Sequence, residues 1–444
     1  MDEDTSEEPA KMICEIRGQP ISSLSFTKNN TPNLVNNDTK PKDIAPPITR
    51  VRKERILYPR GRGGMSSKPR VTGGRPITQT EAVELRTVIF GSATSPLKGE
   101  WLRTGFVFST PGQEFAYCLR APRSACRGLL SVLQAYLIKH FLFDKRPTGK
   151  SIPPEILLKP SQAAQTEALC TCIASILWTV GEKRSACVAL PDETIFVEQS
   201  HLYFHDGITE KLKIFEFNHL EDLQIFIKLY LHMFQEQPGA GALLLLYGAV
   251  LTRSPPVVLR DLDQPVDVHL VGPDEEGSLC VVTLLVSGRA TPFLHNGVVY
   301  AGDEDHYAMP QFGVLSRSAV GLLVYDGDAA LGPGEESRRP GSRLKTPGLP
   351  VWVTSCQGHY GVMFNTNMEL LRNYHAEKRF ELQYCTTSGN HVVFTVDTRG
   401  QNEECDDDGS PSCKDDMAST PLEKLIHTKW QDAKITWTGQ TPTV

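Results

Sequence analysis

The chain has 444 residues, 40% of them hydrophobic, and a formal net charge of -6. That is enough to bury one large core or two smaller ones, and the mildly acidic balance argues against nucleic-acid binding by the chain as a whole. Its 11 cysteines are odd in number and scattered, which fits reduced thiols better than a disulfide framework. The opening Met1-Asp2-Glu3-Asp4 lacks the apolar stretch of a secretory signal. The longest apolar run, residues 239–251, falls short of the roughly 20 residues that span a bilayer. The composition reads as that of an intracellular chain, cytoplasmic or nuclear, with no membrane partner.

Residues 1–78 are poor in large apolar side chains and rich in Asn, Thr, Pro, Lys and Arg. Such a segment cannot bury enough surface to offset chain entropy, and it reads as a disordered tail. Within it lies a basic stretch from Arg50 through Arg52, Lys53, Arg55, Arg60 and Arg62 to Lys68, Arg70 and Arg75. Interleaved Gly and Pro favour a solvated linker there over a nuclear-localisation or polyanion-binding segment. A folded domain is expected over 79–444, interrupted by polar loops at 326–342 and 401–419.

The stretch 84–91 opens this domain, and 101–108 alternates like a short strand or buried turn. Residues 127–143 predict an amphipathic helix, with Leu130, Leu133, Leu137 and Phe141 at helical spacing. Further helices are expected at 163–180, 220–234 and 241–253. Residues 266–271 and 281–286 read as strands or short buried segments. Strands are plainest near the end, at 350–356, 359–364, 380–384 and 391–396, the last two flanking the turn Ser388-Gly389-Asn390. Helices first and paired strands later predict an α+β fold.

Several chemistries find no support in the pattern. His201 and His205 are four apart but lack a zincin glutamate, Cys170-Thr171-Cys172 lacks metal-finger spacing, and Gly61-Arg62-Gly63-Gly64 has no flanking strand and helix. Neither metal nor cofactor is expected. The remaining candidate is the stretch Ser124-Ala125-Cys126-Arg127-Gly128, where small residues and a cysteine lead into the helix at 127. Cysteine hydrolases set their nucleophile at a helix N-terminus because the dipole and free N–H groups stabilise a thiolate. A distant histidine takes the proton, and a donor such as glutamine stabilises the oxyanion. His359, at an apolar strand, is the candidate base.

Several segments together resemble the MINDY deubiquitinases, in particular the fourth branch. They are Phe90-Gly91-Ser92, Trp101 with 105–108, 128–143, 244–253, 285–290, Leu344-Lys345-Thr346-Pro347 with 350–353, His359, and Thr428-Lys429-Trp430. Their order and spacing cover nearly all of 81–444. The resemblance implies a papain-like α+β fold and a family activity, hydrolysis of ubiquitin chains joined through ubiquitin's lysine forty-eight. In active members Gln-x-x-Gly-Gly-Pro-Cys-Gly precedes the helix. Counted from Gln134 and Gly128, the nucleophile position falls on Arg127, the Gly-Gly-Pro positions on Ser124, Ala125 and Cys126, and the oxyanion glutamine on Ala121. The general-base position falls on His359 and is retained. This pattern resembles the branch regarded as inactive, the four-B type.

A guanidinium is charged at every accessible pH and cannot serve as the nucleophile. Cys126 is one residue early, which on a helix means a turn of about 100° and a rise of about 1.5 Å. The sequence thus predicts a catalytically inactive deubiquitinase-like protein whose remaining role is to hold ubiquitin or polyubiquitin, or to scaffold. Two other readings stay open: a weakly active cysteine enzyme using Cys126 and His359, and an interaction protein that no longer meets ubiquitin.

Overall fold

The apolar run that follows Arg127 becomes the axis of the fold. The computed structural model describes residues 69–97, 99–121, 125–144, 152–263, 269–274, 276–301, 309–327, 338–399 and 420–439. In chain order these contain β1 (Arg75–Pro76), α1 (Gln79–Phe90), α2 (Arg127–Lys139), α3 (Pro154–Leu157), α4 (Gln162–Val180), β2 (Ala186–Pro191) and β3 (Leu212–Phe217). There follow α5 (Leu220–Leu229), α6 (Leu231–Gln235), α7 (Gly241–Arg253), α8 (Pro255–Leu262), α9 (Leu279–Ser287), β4 (Val298–Ala301) and β5 (Met309–Phe312). The last third holds β6 (Gly321–Tyr325), α10 (Ser342–Lys345), β7 (Val351–Cys356), β8 (His359–Phe364), β9 (Arg379–Cys385), β10 (His391–Asp397), α11 (Pro421–His427) and β11 (Lys434–Thr438).

The main sheet has the order β11-β10-β9-β8-β7-β6, antiparallel except for the parallel pair β6–β7. Alternation along its strands separates two cores. Val351, Val353, Val362 and Phe364 face the core that contains α2. Trp352, Cys356 and Met363 face a second core with Leu422, Leu425, Ile426 and Trp430 of the C-terminal segment. A smaller sheet, β1-β3-β2, and the ribbon β4-β5 complete the strands among the described residues.

α2 is enclosed by β7 and β8 on one side and by α4 and α9 on the other. Every residue from Gly128 to Ile138 is buried, so the helix is not amphipathic as the spacing predicts. Its polar positions are used internally. The Gln134 side chain accepts the Leu119 N–H at 2.7 Å and donates to the Tyr117 carbonyl at 3.0 Å. Gln165 on α4 donates to the carbonyls of Ser109 and Ala116, at 3.0 and 2.7 Å. These two amides anchor the irregular stretch 107–121, whose own pairing is one bridge between Phe108 and Leu119. Buried amides left without partners would each cost about 1–3 kcal/mol.

Other departures have identifiable reasons. Residues 281–286 lie in the helix α9, since a short apolar run does not distinguish strand from buried helix. Its Thr283 and Ser287 hydroxyls bond back to carbonyls one turn earlier. The expected helix 220–234 breaks at Tyr230 into α5 and α6. Of the expected strand 266–271, residues 266–268 lie outside the described residues, and Val271 forms a single bridge to Gly277. Residues 69–78, assigned to the tail, pack with the domain: Val71 and Ile77 are buried, and Arg75–Pro76 pair with β3. The rest of the tail, with most of its basic stretch, and the loop 401–419 lie outside the described residues.

Several residues that carry the family pattern turn out to hold these layers together. Arg253 and Arg289 both pair with the buried carboxylate of Asp261 at 2.8 Å. Lys345 donates to the Thr428 carbonyl at 2.7 Å and Trp352 to the Lys345 carbonyl at 2.9 Å, while the Lys429 ammonium lies 4.7 Å from the Trp430 ring centre. Between α1 and the 203–211 loop, Arg86 and Asp206 form a fully buried pair at 2.6 Å. Asp206 also accepts from the Ile208 and Thr209 N–H groups, and the Thr209 hydroxyl meets that of Tyr247 on α7. Removing one partner of such a pair strands the other, so Arg86→Met should lower stability by about 3–5 kcal/mol. Denaturant unfolding reads this directly, and a loss below about 1 kcal/mol would contradict the anchoring role.

Candidate functional site

The approach to α2 is held from outside the helix. The Ala125 N–H donates to the Glu100 carboxylate, and the Gly277 N–H donates to the Ala125 carbonyl at 3.1 Å. Cys126 is the N-cap residue, but its side chain makes no capping bond. It is 1% exposed, so its sulfur is closed off from solvent. Arg127 is the first helical residue, and its guanidinium pairs with the Glu276 carboxylate. The two side chains are 37% and 46% exposed. A pair this open to water contributes about 0.2–1 kcal/mol, similar to the cost of a cation at a helix N-terminus.

Gly128 comes next, and its lack of a side chain matters. A Cβ there would stand 3.1 Å from a Val282 methyl and 3.3 Å from the Tyr360 ring. The start of β8 therefore lies directly against the first turn of α2. β7 and β8 are joined by Gln357 and Gly358, both at positive φ, +50° and +80°, as a tight two-residue hairpin requires. His359 is the first residue after this turn, exposed, and opposite Cys356 in the ladder. Alternation starts His359 on the Cys356 face and turns Tyr360 toward α2. Among the described residues, no hydrogen bond or ion pair joins the His359 side chain to Arg127 or to any other residue. Burial pushes the Tyr360 phenol up to about 12, with the adjacent Ser355 side chain acting the other way.

Ala121 sits at the end of the stretch anchored by Gln134. It is 8% exposed, and its N–H donates to the Thr387 carbonyl at 2.9 Å. A methyl group at this place offers no hydrogen to an oxyanion. Ser124 lies outside the described residues. The fold thus gathers Arg127 and Cys126 at one helix end and brings the strand that begins with His359 against that end. Glu276 and Tyr360 join them unforeseen. Glu276 is 149 positions from Arg127, a separation no spacing rule bridges, whereas Tyr360 could have been found as the α2-facing neighbour of His359.

Four of the other thiols in the domain run opposite to what a nucleophile needs. Burial pushes Cys170, Cys187, Cys280 and Cys356 up to about 11, whereas a reactive thiolate needs a lowered value. His205 bonds the Val197 carbonyl at 2.9 Å, outside any helix. Among the described residues no cluster of three or more His, Cys, Asp or Glu could hold a metal.

The structure is thus a mixed α/β domain whose central buried helix opens against a strand hairpin. The family model for the conserved domain of the deubiquitinating enzymes MINDY-3/4 matches residues 86–439, and the chain belongs to that family. It is 32% identical over 374 residues to the probable ubiquitin carboxyl-terminal hydrolase MINDY-4 of Mus musculus, covering 84% of this chain and 48% of that protein. The MINDY-4 of Homo sapiens is 30% identical over 375 residues, 84% of this chain and 47% of that one. The ubiquitin carboxyl-terminal hydrolase MINDY-3 of Homo sapiens is 23% identical over 323 residues, 65% of this chain and 66% of that one. The chain spans about half the length of these MINDY-4 relatives. No solved structure matches it.

The burial of Cys126 has a direct consequence. Iodoacetamide at neutral pH should leave Cys126 unmodified in the folded protein and modify it fully in denaturant, as read by peptide mass mapping. Rapid labelling of Cys126 in the folded protein would show that its sulfur is open and reactive.

Proposed function

We propose that this chain is an inactive member of its family, a papain-like deubiquitinase domain that holds ubiquitin or polyubiquitin without cutting it. One observation carries the reading: the first residue of α2, where the resemblance puts the nucleophile, is Arg127, engaged with Glu276. A guanidinium is permanently charged and has no free electron pair for attack on a carbonyl. The methyl of Ala121 and the burial of Cys126 support the same conclusion. The relatives' designation as ubiquitin carboxyl-terminal hydrolases supports ubiquitin as the partner. The rival reading, a weak enzyme using Cys126 and His359, is disfavoured by the enclosed sulfur of Cys126.

The test is cleavage of tetraubiquitin joined through lysine forty-eight. Purified protein should give no products above a buffer control, and cleavage that Cys126→Ala abolishes would establish the rival. A repair series probes the placement of the nucleophile. Arg127→Cys alone should do little. Adding Ala121→Gln restores an oxyanion donor, an effect of about 10²–10³ in rate. Adding Cys126→Pro, Ala125→Gly and Ser124→Gly rebuilds the family's approach turn, and weak cleavage is expected from the full set. A fully repaired variant that folds and binds ubiquitin yet cleaves nothing would contradict the placement of the nucleophile at 127.

A further inference from the structure

We infer that Arg127 makes this site a receptor for a free C-terminal carboxylate, so that it selects ubiquitin whose C-terminus is unconjugated. The inference rests on the proposal that the chain binds ubiquitin. A hydrolase nucleophile attacks the carbonyl carbon of the scissile bond, and after hydrolysis that carbon is a carboxylate. The residue at the nucleophile position is therefore the one within reach of the carboxylate. A thiol would be replaced there by a guanidinium, the side chain best suited to hold a carboxylate by paired charge-assisted hydrogen bonds. A chain-linked ubiquitin presents a neutral amide carbonyl at the same place and cannot form that pair.

The structure already has a carboxylate on this guanidinium. Glu276 engages its Nη2, and among the described residues Nη1 and Nε have no partner. Both side chains are partly open to water, so the internal carboxylate is exchangeable rather than locked. The other nearby carboxylate, Glu100, is engaged by the Ala125 N–H. The Tyr360 ring, admitted by the bare Cα of Gly128, closes one side of the helix opening. Glu276 thus acts as a built-in competitor for the ligand's terminal carboxylate.

That role gives opposite signs to two substitutions. The measurement is binding of the full chain to monomeric ubiquitin with a free C-terminus and to the same ubiquitin with a C-terminal carboxamide, by calorimetry. The free form should bind on the order of tenfold tighter. Arg127→Gln should erase the difference between the two ligands. Glu276→Gln should tighten binding of the free form only. Thermal unfolding of each variant reports whether it is folded. Equal affinity of the native chain for both ligands would overturn the carboxylate inference while leaving ubiquitin binding in place. Equal weakening by both substitutions would make the pair a structural contact and would also overturn it. Absence of binding to either ligand would overturn the ubiquitin-binding proposal itself and the inference with it.

Discussion

A helix buried along its whole length can offer chemistry only at its ends, and α2 imposes that constraint on the domain. Sheet, α4 and α9 enclose it from Gly128 to Ile138. Its one long polar side chain in that span, Gln134, is turned inward to hold the stretch that runs to Ala121. Its second residue is Gly128, where a Cβ would press on Val282 of α9 and Tyr360 of β8. What stands at position 127 therefore decides what the site can do, and the rest of the domain presents that residue to solvent. A positive charge there needs a partner, and Glu276 supplies it from the segment just before α9.

The residues that hold the fold and the residues that would perform chemistry are largely separate. Asp261 with Arg253 and Arg289, the Trp352–Trp430 contact, and the Arg86–Asp206 pair lie in the layers around the site. None of them belongs to the helix opening. None of these interactions involves the side chains at 121, 126 or 127. This separation explains how a member of a deubiquitinase family keeps the family fold with an arginine at the head of its central helix.

Much of this was legible in the sequence where a local rule applies. The pair 350–356 and 359–364 reads as strands because β-branched and aromatic residues flank the short break Gln357-Gly358, and the helix 241–253 reads from its composition. The neighbourhood of 127 was visible through small residues leading into an apolar helical run. What could not be read depends on distant partners. α9 reads as a strand or a short buried segment because a short apolar run carries no period of its own. α2 looked amphipathic because Ser131 and Gln134 are polar by type, and only their buried partners make them core residues. The strands β2, β3, β6 and β11 went unseen for the same reason, since their pairing comes from segments far along the chain. Glu276 carried no local signal, because its importance arises entirely from the fold that brings it to Arg127.

The central claim is that the place of the nucleophile holds an arginine and that no other thiol has taken over. The most direct measurement is exposure of the native chain to ubiquitin bearing a thiol-reactive group at its C-terminus, followed by intact-mass spectrometry. The account predicts no covalent adduct, even under conditions where ubiquitin itself binds. An adduct of one ubiquitin, mapped to Cys126, would contradict it.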